Sequence, residues 1–257
     1  MRPWLVGLGA LLWCVAPAAL SMPSATIDWE KRTITATGQG APDLNAPNPA
    51  AARIGAERAA QLDAFRNLLE TLKGVKVSEG QTAGDRMAGD ATLKAEVEGV
   101  LRNFTVVARH YFSDGGVELE VRMPLDGKVA ELLIPKDPTA AVSQGGTDIG
   151  SGLVVVAKGL AVTPALAPRL LDPEGKVVYG PGFVQVDALK QNGIAGYLKD
   201  LTAASQSARV GSHPLLVKAV ATKGTDLVIS DQDAQKLEDG HANLGFLSEG
   251  KVIIVID

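Results

Sequence analysis

Cysteine is all but missing: Cys14 is the single one in 257 residues, and it lies in an apolar leader. With that leader removed, no disulfide framework, thiolate metal site or cysteine nucleophile can be built. Histidine is nearly as scarce. His110, His213 and His241 never fall four residues apart, which excludes a helical zinc signature. Aromatics make up 4% of the chain, so its core has to come from Ala, Val, Leu and Ile. A mildly acidic chain, net charge −4, without a Lys/Arg cluster argues against nucleic acid and anionic lipid headgroups as partners. No apolar run reaches the roughly 20 residues that a membrane-crossing helix needs.

What is present begins with the leader. Arg2 precedes the apolar run Trp4–Ala16, which Pro17 breaks before the small residues Ala18, Ala19 and Ser21. A positive start, a short apolar middle and a small-residue exit make residues 1–21 a secretory signal peptide, with cleavage after Ala18 or Ser21. Trp13 stands before Cys14 where lipoprotein processing needs a small residue, so Cys14 reads as filler in a discarded peptide. The expected location is the periplasm or the periphery of the outer membrane.

The remainder reads as α+β in two domains. Thr26–Trp29 and Thr33–Thr37 form a strand or hairpin around Glu30-Lys31-Arg32, and Gly38-Gln39-Gly40-Ala41-Pro42 ends it. Asn48-Pro49 is a helix start, with Asn as N-cap and Pro at the first position, and the helix runs to Lys73-Gly74. Its apolar stripe is Ile54, Leu62, Phe65, Leu69 and Leu72, while Ala51, Gly55, Ala56, Ala59 and Ala60 give the early turns a flat surface that can approach a sheet. After a Gly-rich connection, Asp90 caps a second helix carrying Leu93, Val97, Val100, Leu101 and Phe104 on one face. A hairpin follows around Ser113–Gly116, its second strand, Val117–Met123, alternating apolar and charged residues. Asp126 starts a short helix to Leu133. Residues 26–134 are thus a small sheet covered by a long Ala-rich helix.

Residues 135–152, rich in Pro, Gly and Ser, read as a linker. Residues 153–257 read as a mixed sheet: a strand at Leu153–Ala157, a hairpin turning at Asp172-Pro173-Glu174-Gly175, and strands at Leu215–Val220 and Asp226–Ile229. An Asp-capped helix, Asp231–Glu238, and a strand, Lys251–Ile256, complete a C-terminal strand-helix-strand. Were the two strands parallel, they would form a right-handed crossover.

Motifs that carry chemistry are weak. Gly38-x-Gly40 follows a strand but lacks the third glycine of a dinucleotide loop, and Pro42 interrupts it. Asp226, Asp231, Asp233 and Glu238 lack the glycine of a calcium loop. Glu118 and Glu120 lie two apart on the wet face of a strand, where a charged sheet accounts for them. No Gly-x-Ser-x-Gly elbow appears. No catalytic, cofactor-binding or metal-ligating residue is assigned.

Three stretches together carry a resemblance: Ala36-Thr37-Gly38-Gln39-Gly40, then Asp63-Ala64-Phe65-Arg66-Asn67-Leu68-Leu69-Glu70, then Gly74-Val75. In order and spacing, residues 26–134 resemble the small envelope-lipoprotein (LPP) family, which is similar to the N-terminal domain of flagellar assembly protein T. The family often carries a lipid-modified cysteine, which Trp13-Cys14 does not match. The resemblance implies a non-enzymatic cell-envelope protein, a structural or assembly factor whose partners are envelope proteins such as flagellar ring components. The alternative is a periplasmic module binding a small ligand or glycan. It would need exposed aromatics, and only Trp29, Tyr111, Tyr179 and Tyr197 are available.

Overall fold

A computed structural model describes residues 24–135, 148–238 and 242–257. The expected signal peptide with Cys14, most of the expected linker and His241 lie outside these. The first half contains β1 (Ala25–Asp28), β2 (Thr33–Gly40), α1 (Pro49–Gly74), β3 (Lys76–Ser78), β4 (Gln81–Thr82), α2 (Ala83–Gly89), α3 (Ala91–Leu101), β5 (Thr105–Tyr111), β6 (Val117–Pro124) and α4 (Lys128–Leu133). Its antiparallel sheet has the order β1-β2-β6-β5, and α1 lies across β2 and β6. The opposite face, with Thr35, Glu118, Glu120 and His110 in register, is polar.

The seating of α1 follows from side-chain size. Along β2, the residues facing the helix shrink from Ile34 through Ala36 to Gly38 and Gly40, and all four are buried. The buried stripe of α1 is Ala56, Ala60, Ala64, Leu68 and Leu72, growing in the opposite sense. A Cβ on Gly38 would collide with Ala64 N and Ala60 O, and one on Gly40 with Ala56 O. The helix therefore touches the strand backbone at its N-terminal half and is held off by leucines at the other.

This corrects two readings. Gly38 and Gly40 are strand positions that admit a helix, not the end of a strand. The buried face of α1 is rotated from the expected one: Ile54 and Leu62 are exposed and Leu69 is only half-buried. Asn48 caps α1 as expected, its Oδ1 accepting from Ala51 N at 2.9 Å. Asp90 caps α3, accepting from Thr92 N and Leu93 N. Asp126 does not cap α4, whose N-cap is Gly127; its carboxylate pairs with Arg32 instead.

The second half contains β7 (Asp148–Ile149), β8 (Gly152–Val156), β9 (Leu170–Leu171), β10 (Val177–Tyr179), α5 (Val186–Asn192), β11 (Gly196–Leu198), α6 (Leu201–Ser205), β12 (Pro214–Lys223), β13 (Asp226–Ile229), α7 (Asp231–Glu238), β14 (Ala242–Asn243), α8 (Gly245–Ser248) and β15 (Val252–Val255). The mixed sheet has the order β10-β9-β13-β12-β8-β15-β11. Gly152, at the end of the expected linker, already belongs to β8.

The central strands β8 and β15 run parallel and are apolar on both faces, as a strand covered on both sides must be. Leu153 and Val155 face the large core, while Val154, Ile253 and Val255 face a smaller one closed by Ala204 of α6 and Val210. The expected crossover is not formed. β13 is antiparallel to β12, β12 is parallel to β8, and β8 is parallel to β15. Strands β13 and β15 therefore run in opposite directions with two strands between them. Ser230 rather than Asp231 caps α7, its Oγ accepting from Asp233 N.

Candidate interaction surfaces

The two halves share one hydrophobic cluster that runs from Ile34 and Leu72 to Leu153 and Ile254. Backbone bonds cross the seam: Leu166 N to Lys76 O at 3.0 Å, Ala167 N to Val77 O at 2.8 Å and Gly127 N to Lys190 O at 2.9 Å. The Glu79 carboxylate accepts from Thr225 N at 2.9 Å and occupies the space that a Cβ on Gly224 would take. Arg32, at φ +51 in the β1–β2 turn, sends its guanidinium to Asn192 O and Asp126. Trp29 meets Tyr197 edge to face at 5.6 Å. The cavity left between the halves is ≈ 20 Å³, room for about one water.

The aromatics that a binding pocket would need are not gathered. Tyr179 and Tyr197 are buried and their hydroxyls are used internally. Tyr179 donates to Ile194 O at 2.6 Å, and Tyr197 donates to Ala165 O and accepts from Ala165 N, both at 3.0 Å. Burial pushes both phenols well above their ordinary value of 10.0. Arg209 is half-buried in this region: its Nη2 donates to Gly250 O at 2.6 Å and its Nε, itself buried, has no partner. Burial first, then Arg32 nearby, pulls its guanidinium down to about 10, so it stays charged at neutral pH.

The acidic residues near the C-terminus are spread over separate structural tasks. Asp226 is fully buried and receives Arg169 through Nε at 2.9 Å and Nη2 at 2.5 Å. Glu238 pairs with Lys176 and Asp233 with Lys236. Burial raises the Asp233 carboxyl, but bonds from Lys236 and from Lys218 N outweigh it and leave it lowered. Among the described residues no group of three or more His, Cys, Asp or Glu could hold a metal ion. His110 is exposed opposite Glu118, and His213 is exposed with its Nδ1 2.8 Å from Ser212 Oγ. No described helix is long and apolar enough to cross a membrane.

What composition could not foretell is where large apolar side chains stay outside. Strand β2 runs from Thr33, at the seam, to Gly40, which pairs with Val117 at the far end. There, Leu44 is 92%, Ile54 54%, Tyr111 51% and Phe112 49% exposed. Arg53 lies over the Tyr111 ring at 5.6 Å, which ties the start of α1 to the β5–β6 hairpin. A groove of ≈ 540 Å³ runs between the Pro42–Pro49 loop and Ser113–Gly115.

Residues 152–257 match the family described as Treponema pallidum Tp0624, second domain. The match covers the seven-stranded half and begins at Gly152, the last residue of the expected linker. No curated protein matches the chain.

Proposed function

We propose that the chain is an exported, non-enzymatic component of the cell envelope, a structural or assembly factor that works by binding other envelope proteins. The observation that carries this reading is the far-end patch of Leu44, Ile54, Tyr111 and Phe112. Scattered apolar residues on a surface need no account, but four large ones exposed at the same end of a sheet, beside a groove that Leu44 lines, favour a protein contact. Export is supported by the leader, with its positive start, short apolar middle and small-residue exit. The resemblance of residues 26–134 to the envelope-lipoprotein family points the same way, toward flagellar ring components among the partners.

The joined halves suit such a role. Because the seam is packed and bonded, the patch is held at one orientation relative to the seven-stranded half, so a partner bound at one end is placed with respect to the other. Photo-crosslinking from positions 44 and 112 in intact cells tests the reading, with discrete heavier adducts as the expected result.

A further inference from the structure

We propose that β5 pairs with β5 of a second copy of this chain, joining two four-stranded sheets into one of eight strands about a two-fold axis at His110. The free edges of the two larger sheets are β1, β5, β10 and β11. Strand β5 has seven residues, against four in β1 and three each in β10 and β11. It is also an edge open to solvent, with Arg109, His110, Tyr111 and Phe112 all exposed.

The hairpin fixes which way its backbone points. Phe112 N donates to Gly116 O at 2.9 Å and Phe112 O accepts from Gly115 N at 3.1 Å, so the backbone of Phe112 turns toward β6. The alternation of an antiparallel pair gives His110 and Ala108 the same direction and sends the N–H and C=O of Arg109 and Tyr111 outward. Among the described residues nothing takes up those outward groups.

Sheets normally blunt such an edge with a bulge, proline or charge. The bulge in β5 falls between Val106 and Ala108 and leaves 108–112 regular. The charge of Arg109 is met by Glu57 at 3.4 Å, while Val107, Tyr111 and Phe112 keep large apolar surfaces in water.

The order of residues selects a second copy as the occupant. Turned about an axis at His110, the strand sets Arg109 opposite Tyr111 of the other copy, twice, and the outward groups of these residues bond across the axis. Ala108 then faces Phe112 of the other copy, a methyl beside a ring. Tyr111 already takes one guanidinium, that of Arg53, and Arg109 arrives with its Glu57, so the approach adds no net charge. A register centred on Arg109 would oppose two arginines, and one centred on Tyr111 would run Arg109 into the turn at Ser113. Helix α1 lies across β2 and β6 and leaves β5 bare. Four strands at about 4.8 Å spacing thus hold the two helices roughly 20 Å apart, clear of collision.

Leu44 and Ile54 lie outside this ladder and stay available to other proteins. The pairing can therefore fail with the assembly reading intact, and the reverse.

Sedimentation velocity on the purified protein over a wide concentration range tests the pairing, and dimer should grow in as concentration rises. Tyr111→Arg, which opposes arginines on both sides of the axis, should weaken dimerisation about tenfold, since the two-fold counts it twice. Tyr111→Glu, which sets a carboxylate against Arg109, should leave the dimer at least as tight. Should Tyr111→Arg fail to fold, cysteine crosslinking still decides. On a Cys14→Ser background, His110→Cys should link to itself under mild oxidation, because facing residues of a non-hydrogen-bonded pair lie about 4.5 Å apart. Tyr111→Cys, whose two copies sit two residues out of register, should not. Monomer at every concentration, equal effects of Tyr111→Arg and Tyr111→Glu, or no self-link at 110 would overturn the proposal.

Discussion

Tyr179 and Tyr197 are where single residues decide the reading of this molecule. In the sequence they are two of four aromatics that could have lined a ligand pocket, and nothing in their neighbours distinguishes them from Tyr111. In the structure, two carbonyls, Ile194 O and Ala165 O, hold their hydroxyls inside. A buried phenol keeps its proton where the unfolded chain would release it. The stability this contributes is therefore complete below about pH 10 and drains as pH rises beyond it. Arg209 acts in the opposite sense, because a base with a lowered value gives up its proton first in the folded state. Comparing wild type with Tyr179→Phe isolates the phenol. Above about pH 10 the loss of stability in the variant should be shallower by one proton, about 1.4 kcal/mol per pH unit, at the cost of about 1 kcal/mol near neutrality for the hydrogen bond. Chemical unfolding across the alkaline range measures both, and equal slopes would mean that Tyr179 is not sealed.

At the scale of elements, much was legible where the pattern is local. The alternation of Val117–Met123, the Asn48-Pro49 start, the Asp90 cap and the Asp172–Gly175 turn each appear where the residues put them. The misreadings share a cause. The small surface at Ala56 and Ala60 does meet the sheet as expected, but periodicity also put Ile54 and Leu62 on the buried stripe, whereas contact with Gly38 and Gly40 selects the smallest side chains and leaves those two outside. Thr82 and Asp85 form a capping box at the start of α2, a signal present in the sequence within a stretch that looked merely Gly-rich. The short strands β3, β4 and β11 have too few residues to show a period. Two alanine substitutions separate the roles of glycine. Gly40→Ala should cost upward of about 3 kcal/mol, because the Cβ meets helix backbone that cannot retreat. Gly55→Ala, in the same helix with open space around it, should stabilise by about 0.5–1 kcal/mol. Thermal melts give both signs, and a mild loss at Gly40 would mean that α1 is not seated on β2 as described.

For the whole molecule, the expectation of two α+β domains holds, but they share one hydrophobic core. The large core is continuous from α1 to β15, and the β3–β4 hairpin is bonded into the second half. Unfolding should then be a single calorimetric transition, with Glu79→Ala lowering it as a unit; two resolved transitions would mean that the seam is only a contact. A body joined in this way holds its exposed ends at fixed positions for partners.

The claim that matters most is that the far-end patch binds envelope proteins. Benzoylphenylalanine at positions 44 and 112, activated by light in intact cells, measures it directly. The account predicts discrete heavier adducts from both sites, lost when Ile54→Glu is added, and none from the exposed Lys223 on the other half. Monomer alone at 44 and 112, or the same adducts from 223, would contradict it.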